Sequence, residues 1–284
     1  MGMLEGRTAF ITGAARGQGR AHALRMAREG ASIVAVDIAD DIKEVQYSLG
    51  TQEDLAETVR AVEAAGGRAV AVKADVRSQA QLDEAVATGV ERFGGIDICI
   101  ANAGVVAHGN FWTLTEQEWG EVLDVDLTGV WRTVKAVAPH MIGRRSGSIV
   151  ITVSINGLEP AAGIAHYTAA KHGALGLMRA IALELAPYGV RCNAICPAAT
   201  DTGMLNNQFM FDQFAGKSGG TRADLDSAVP HYHALAPASV IQPEAIANAA
   251  LWLVSDMADR VTGVHLPVDA GHLLLPGFNH NPIV

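Results

Sequence analysis

The sequence predicts a doubly wound α/β fold, with a seven-stranded parallel sheet and helices on both of its faces. Apolar runs of strand length alternate with amphipathic helical segments along most of the chain, as the connections of a parallel sheet require. Hydrophobic residues make up 49% of the composition and aromatic residues only 5%, which suits an aliphatic core of buried strands. The 284 residues fit a single domain of this class.

The first unit of this pattern carries a nucleotide-binding turn. The stretch RTAFITGAARGQGRAHALRMAREGASIVAVD reads as a strand, a glycine-rich turn, an amphipathic helix and a second strand. Gly13, Gly17 and Gly19 fall in the turn, where glycine lets the backbone approach a pyrophosphate closely. The helix that begins near Gly17 offers free N–H groups and a positive dipole end to the same anion.

Asp37 closes the second strand, twenty residues after Gly17. An acidic side chain here accepts hydrogen bonds from an adenosine ribose and repels a 2′-phosphate, so the sequence predicts NAD rather than NADP. Arg16 is a weaker opposing feature, because a basic side chain could pair with that phosphate. The alternative for Asp37 is a solvated strand end without a binding role.

The middle of the chain continues the alternation of strands and helices. After a connection over residues 39–51, we expect a helix to residue 65, the strand RAVAVKADV, a helix over 78–93 and the strand GIDICIANAG. The connection is longer than a compact fold needs, and long connections in tight domains are commonly functional. A surface or interface loop is the alternative.

A serine, a tyrosine and a lysine form a candidate catalytic group. Tyr167 and Lys171 are four residues apart, so on a helix they share one face, although this spacing also arises by chance. A lysine ammonium beside a phenol favours the phenolate and makes Tyr167 a proton acceptor. Ser154 ends the strand SIVITVS and could hold the same substrate oxygen. Together they predict interconversion of an alcohol and a carbonyl.

The last third of the chain supplies two more strands and an apolar segment between them. The stretch RCNAICPAATDTGM predicts a sixth strand and a proline-led turn, and a helix over 243–255 precedes the last strand in TGVHLPVDAG. Residues 203–230 read as a substrate lid, with packing in the core or between subunits as the alternative. The expected apolar roof consists of Met204, Leu205, Phe209, Met210, Phe211 and Phe214.

These motifs, in this order, resemble the short-chain dehydrogenase/reductase family. The resemblance rests on TGAARGQG (12–19), ADV (74–76), ANAG (101–104), Ser154, YTAAK (167–171) and CPAATDT (196–202). It implies a single-domain Rossmann fold, bound NAD and a homotetramer. The cofactor-binding residues that it implies are Gly13, Arg16, Gly17, Gln18, Gly19, Asp37, Ile38, Asp75, Val76, Asn102, Ala103, Gly104, Tyr167, Lys171, Pro197, Ala199, Thr200 and Thr202.

Within the family, the stretch DIADDIKEVQYSLGTQEDLAETV is similar to the carveol-dehydrogenase-like, mycofactocin-associated branch. In that branch the insertion, here residues 39–51, is thought to cover the dinucleotide. The resemblance therefore implies an NAD that does not exchange freely and is reoxidised in place by an external, mycofactocin-like redox carrier. It also implies an apolar secondary or allylic alcohol of terpenoid type, or its ketone, as the substrate.

Two positions depart from the family pattern. Asp126 replaces the asparagine that in most relatives helps to hold a water near the active-site lysine, and we include it among the catalytic residues. An ionised aspartate accepts but cannot donate, so Asp126 either preserves the relay as an acceptor or slows the chemistry by offsetting Lys171. Ala198 replaces a glycine and must avoid a positive φ or bear strain. An NAD-binding regulatory or scaffold protein with weakened catalysis is therefore the alternative function.

Composition limits the remaining possibilities. The net charge of −9 argues against nucleic acid as a partner. No long uncharged apolar run suggests a membrane span, and the N-terminus lacks the apolar core of a signal peptide, so we expect a cytoplasmic protein. Cys99, Cys192 and Cys196 lack a CxxC spacing and read as buried reduced thiols, with neither a metal site nor a disulfide.

Overall fold

The structure, a computed structural model, describes residues 2–237, 239–275 and 277, and its centre is a seven-stranded parallel sheet. The strands lie in the order β3-β2-β1-β4-β5-β6-β7, and every pairing is parallel. This confirms the predicted fold. The strands are β1 (Thr8–Thr12), β2 (Ser32–Asp37), β3 (Arg68–Lys73), β4 (Ile98–Ala101), β5 (Gly147–Thr152), β6 (Val190–Pro197) and β7 (His265–Val268).

Helices cover both faces of the sheet, and the three for which the sequence predicts both limits, over residues 52–65, 78–93 and 243–255, begin and end within one residue of those limits. They are α1 (Gly17–Ala27), α2 (Gln52–Ala64), α3 (Gln79–Phe93), α4 (Glu116–Leu123), α5 (Gly129–Arg144), α6 (Ala165–Leu185), α7 (Gln208–Ala215), α8 (Arg222–Ala228) and α9 (Pro243–Val254). Helices α4 and α5 are joined by a π-helical turn over Asp124–Thr128.

The core is aliphatic and lies in two layers, one on each face of the sheet. One layer packs α3, α5 and α6 against the sheet, and the other packs α1 and α9. The strands that follow β1 are added on one side of it, and those that follow β4 are added on the other side. This reversal of strand order opens a crevice at the carboxyl ends of β1 and β4. The sheet thus fixes where a ligand can bind.

Three further expectations concern the chain as a whole. The three cysteines are free and buried, as predicted. Among the described residues, no helix has both the length and the apolar character that a bilayer span needs. Most of the C-terminal tail, which we expected to contact a neighbouring subunit, lies outside the described residues.

Burial of His22 on α1 predicts loss of stability in acid. Its ring is fully buried, neither nitrogen has a hydrogen-bond partner in the described part of the chain, and burial lowers the pKa of His22 to about 4. Below pH 6.5 His22 is protonated in the unfolded chain but stays neutral in the folded chain. The free energy of unfolding therefore falls by about 3 kcal/mol by pH 4.

We expect His22→Leu to remove this part of the pH dependence of the free energy of unfolding, measured by urea denaturation between pH 7 and pH 4. The control is His172→Leu, which replaces an exposed histidine and should keep the wild-type slope. Equal slopes in His22→Leu and wild type would show that His22 does not cause the acid sensitivity.

Candidate active site

A cavity of about 790 Å³ runs along the carboxyl ends of the strands. All the cofactor-binding and catalytic residues predicted from the sequence line it, except Asp126. Asp126 lies behind the wall, fully buried beneath Lys171. The structure therefore gathers the predicted residues, which span most of the chain, around one space.

The glycine-rich turn forms one end of the cavity. A Cβ at Gly19 would lie 1.9 Å from the Gly13 carbonyl oxygen, and Gly13 and Gly17 have positive φ of 68° and 54°. These positions therefore need glycine for close backbone contact and for left-handed conformation. Helix α1 begins at Gly17 without a side-chain cap, so its first N–H groups are available to an anion.

Asp37 lies on the cavity wall and is not a solvated strand end, since only 8% of its surface is exposed. Its carboxylate accepts from the backbone N–H groups of Ala15 and Ala39, each at 2.9 Å. These bonds aim the carboxylate from the end of β2. Arg16 also lines the cavity, where its guanidinium donates to the Ser48 carbonyl oxygen and packs against Gly203.

The insertion over residues 39–51 bonds to the loop that follows β4. The Gln46 side chain donates to the His108 carbonyl oxygen at 3.3 Å and accepts from the His108 N–H at 3.1 Å. Tyr47 Oη accepts from the Val106 N–H at 3.3 Å. The insertion is therefore attached on two sides, to this loop and, through Arg16, to the glycine-rich turn.

The wall between the two ends of the cavity is braced by side chains. Asn102 donates to the Thr12 carbonyl oxygen at 3.0 Å and accepts from Thr152 Oγ1 at 3.2 Å, which ties the ends of β1, β4 and β5 together. The Asp75 carboxylate is paired with Arg77 at 2.7 Å. Asn102 and Asp75 thus shape the cavity while their side chains already have protein partners.

Ser154, Tyr167 and Lys171 meet near the carboxyl end of β5. Ser154 comes two residues after this strand, and the first turns of α6 carry Tyr167 and Lys171. The Lys171 Nζ lies 5.4 Å from the centre of the Tyr167 ring, and it donates to the Thr152 carbonyl oxygen at 3.1 Å. The i, i+4 spacing therefore brings the two side chains together, as we predicted.

The carboxylate of Asp126 contacts Lys171 directly. Its Oδ1 lies 2.9 Å from the Lys171 Nζ, and its Oδ2 accepts from the Val105 N–H at 3.0 Å. The π-helical turn presents Asp126 at this point, and a Cβ at Gly104 would lie only 2.7 Å from Oδ1. Asp126 and Lys171 therefore form a direct ion pair.

Burial and charge set the protonation of this cluster. Burial opposes the Lys171 ammonium, but the charges of Asp126 and Tyr167, together with the hydrogen bond to Asp126, outweigh burial and raise the pKa of Lys171. For Tyr167, burial raises the pKa; Lys171 lowers it, Asp126 raises it and Ser154 lowers it, with a net rise above the ordinary value of 10. The expectation that Lys171 makes Tyr167 more acidic is therefore only partly met, because burial and Asp126 outweigh it.

The segment expected to form a lid folds as α7 and α8 over the other end of the cavity. Four expected roof residues line the wall: Met204, Leu205, Met210 and Phe214. The expectation is wrong for the other two. Phe209 stacks on His108 of the loop after β4, with ring centroids 4.2 Å apart. Phe211 packs against the apolar cluster around Leu205 and Leu225.

The backbone around Ala198 is unstrained. Among the described residues other than glycine, positive φ occurs at Ala39, Arg145 and Ala270, and not at Ala198. Pro197, Ala199, Thr200 and Thr202 all reach the cavity wall beside it. The alanine is therefore accommodated without the left-handed conformation that would favour glycine.

Comparison with known proteins agrees with this geometry. The model of the short chain dehydrogenase family matches residues 7–212. The chain belongs to this family. Carveol dehydrogenase from Mycobacterium avium, solved in complex with NAD, is 45% identical with a TM-score of 0.94, over 97% of this chain and 100% of that one.

Two further relatives are similar over nearly the whole length. An NAD-bound short chain dehydrogenase from Mycobacterium paratuberculosis is 41% identical with a TM-score of 0.85, over 96% of this chain and 100% of that one. The (-)-trans-carveol dehydrogenase of Rhodococcus erythropolis is 42% identical over 281 residues, 96% of this chain and 100% of that one. The protein is therefore an NAD-dependent oxidoreductase of the short chain dehydrogenase family, with carveol dehydrogenases among the proteins it is similar to.

The cavity of the dehydrogenase fits NAD on its own chemistry. The uncapped start of α1 suits a pyrophosphate, and Asp37 suits a ribose without a 2′-phosphate. Gln18 Oε1 is buried without a hydrogen-bond partner in the described part of the chain, although Gln18 lines this wall. A polar ligand beside it would satisfy that atom.

Sequence reasoning about the dehydrogenase missed several lining residues. His108, Glu159 and His272 stand on the cavity wall, although none belongs to a motif that the sequence shows. His108 follows the ANAG stretch and His272 follows the last glycine turn. Their position just after strand ends was the signal that could have identified them.

Proposed function

We propose that the dehydrogenase interconverts an apolar secondary or allylic alcohol of carveol type and its ketone. The observation that carries this proposal is the position of Ser154 and Tyr167 on the same wall as the apolar residues of α7 and α8. A hydrophobic alcohol in this space would present its hydroxyl to the two side chains. The carveol dehydrogenases among the relatives support the same substrate class.

The side chains divide the work on the hydroxyl group. Ser154 orients the substrate oxygen, and Tyr167 Oη takes its proton during oxidation. The Lys171 cation stabilises the phenolate through the same face of α6, while Asp126 keeps Lys171 protonated and in place. Bound NAD supplies the hydride acceptor. The glycine-rich turn would hold the pyrophosphate of NAD and Asp37 its adenosine ribose, which positions the cofactor relative to Ser154 and Tyr167.

We propose further that the insertion over residues 39–51 retains NAD between turnovers. Gln46 and Tyr47 close it onto the loop after β4, Arg16 bonds its Ser48 carbonyl, and His108 of the same loop stacks on Phe209. Burial lowers the pKa of His108 to about 4, so its ring is neutral within this stack. Reoxidation would then use an external carrier of the mycofactocin kind rather than release of NADH.

The same proposal includes a homotetramer in the cytoplasm. Trp119 on α4, Trp131 on α5 and Leu183 on α6 are exposed by 42%, 43% and 79%. Large apolar side chains on neighbouring helices favour association between subunits. Gly176 on α6 has no atom within 4 Å of where its Cβ would lie, which leaves room for close approach of a second helix, as the family resemblance implies.

The first test adds carveol and a panel of cyclic and simple secondary alcohols to the purified protein, without external NAD. We expect the absorbance of reduced nicotinamide to rise to one equivalent per subunit and then stop, because the retained cofactor is reduced once. Absence of any rise until NAD is added, followed by continuous turnover, would contradict cofactor retention. Absence of turnover under both conditions would contradict the proposed oxidation.

A further inference from the structure

The substrate half of the cavity contains a pair of ionisable side chains in hydrogen-bond contact that the proposed chemistry does not use. Glu159 follows β5, His272 follows β7, and both line the wall. Glu159 Oε1 lies 2.6 Å from His272 Nε2, although 113 residues separate them in the chain. In the sheet, β5 and β7 lie on the opposite side of β1 from β2 and β3, which lead to Asp37 and Asp75. The pair therefore belongs to the end where the substrate binds.

His272 is fixed from two sides. Its Nε2 faces the Glu159 carboxylate, and its Nδ1 lies 2.8 Å from the carbonyl oxygen of Tyr232, whose ring stacks on the imidazole. Both partners are hydrogen-bond acceptors within reach of a ring nitrogen, and the ring also packs against Tyr232, so the imidazole is held in place. The contact at Nε2 therefore orients the Glu159 carboxyl group.

Glu159 keeps one oxygen for a ligand. Its Oε1 faces His272, whereas its Oε2 accepts no hydrogen bond from any residue that the structure describes. An ionised carboxylate can only accept, so a hydroxyl group is the neutral partner that suits it. Apart from Gln213, the wall close to it in the chain and along α7 and the end of α8 is apolar, with Ala161, Ala162, Met210, Phe214 and Val229.

We propose that Glu159, positioned by His272, is a specificity-determining residue that accepts a hydrogen bond from a second hydroxyl group of the substrate. The inference rests on the proposed function and narrows the substrate to an alicyclic alcohol with a further hydroxyl remote from the reacting carbon. One hydroxyl meets Ser154 and Tyr167, and the other meets Glu159. The apolar wall contacts the carbon frame between them.

The test compares sobrerol with carvotanacetol, two allylic cyclic alcohols that differ by one tertiary hydroxyl. Their dissociation constants are measured calorimetrically on NAD-loaded Tyr167→Phe protein, which binds without turnover. A hydrogen bond to a carboxylate predicts that sobrerol binds roughly tenfold to a hundredfold more tightly. Adding Glu159→Leu should abolish this preference, and Glu159→Gln, which keeps the shape and an acceptor oxygen, should leave an intermediate one.

Glu84→Leu, which replaces an exposed glutamate on α3, is the matched control and should keep the full preference. Equal binding of the two alcohols, or a preference that survives Glu159→Leu, overturns the inference. Oxidation by the wild-type protein is measured separately. If neither alcohol is oxidised, the proposed function fails, and the binding ratio still decides the role of Glu159.

Discussion

Replacement of Tyr167 by phenylalanine is expected to lower the turnover of a carveol-type alcohol by roughly 10²- to 10⁴-fold. The substitution removes one oxygen from a buried side chain and leaves the ring beside Lys171. The proton of the substrate hydroxyl then has no acceptor at the position where Ser154 holds it. Turnover is measured at saturating alcohol, together with the NAD content released on denaturation.

The control for this prediction is Tyr188→Phe, which changes an exposed tyrosine and should retain wild-type turnover and NAD content. NAD content should also be unchanged in Tyr167→Phe, because the ring of residue 167 stays in place and all the other predicted cofactor-binding side chains are unaltered. Full activity in Tyr167→Phe would exclude the proposed proton transfer. If the wild-type protein binds NAD and oxidises none of the alcohols, the regulatory or scaffold function is favoured instead.

Removal of the carboxylate of Asp126 is expected to cost about 3–5 kcal/mol of folding free energy in Asp126→Leu. The pair that it forms with Lys171 is almost entirely inaccessible to solvent, with side-chain exposures of 0% and 3%. In Asp126→Leu, the Lys171 ammonium would remain buried without solvation and without a counter-ion, which destabilises the folded state. The free energy of unfolding, measured in urea at neutral pH, tests this expectation.

Asp126→Asn separates the charge from the shape. The amide keeps an acceptor near Lys171 and should cost less stability than leucine. It also removes a negative charge that raises the pKa of Tyr167, so the phenol keeps the effects of burial and of Lys171 but loses the opposition from Asp126. Because oxidation needs the phenolate, the rising limb of the pH profile of kcat/KM should move to lower pH. An unchanged profile and turnover would show that Asp126 has no special role in the chemistry.

The cofactor end of the site was predictable from the sequence because short spacings determine it. The glycines of the turn, Asp37 at the end of β2 and the Tyr167–Lys171 pair each depend on residues within one strand–turn–helix unit or one helical turn. A parallel sheet then brings all strand ends to one edge, which places Ser154 and Pro197 beside them without further information. The fold and the identity of the cofactor followed from these features.

The tertiary structure alone decided the contacts that join distant segments. Asp126 reaches Lys171 because a π-helical turn places it there and because Gly104 has no side chain to block it. The periodicity of the sequence predicts neither the turn nor this contact. The same holds for the Glu159–His272 pair, since its members follow different strands.

The proton affinity of Tyr167 was equally inaccessible from spacing, because it depends on how deeply the folded chain buries the phenol. Sequence patterns record which face of an element is apolar, whereas side-chain pairing between loops and the degree of burial arise only when the whole chain is packed. This is why the candidate catalytic residues could be named from the sequence and their electrostatic balance could not.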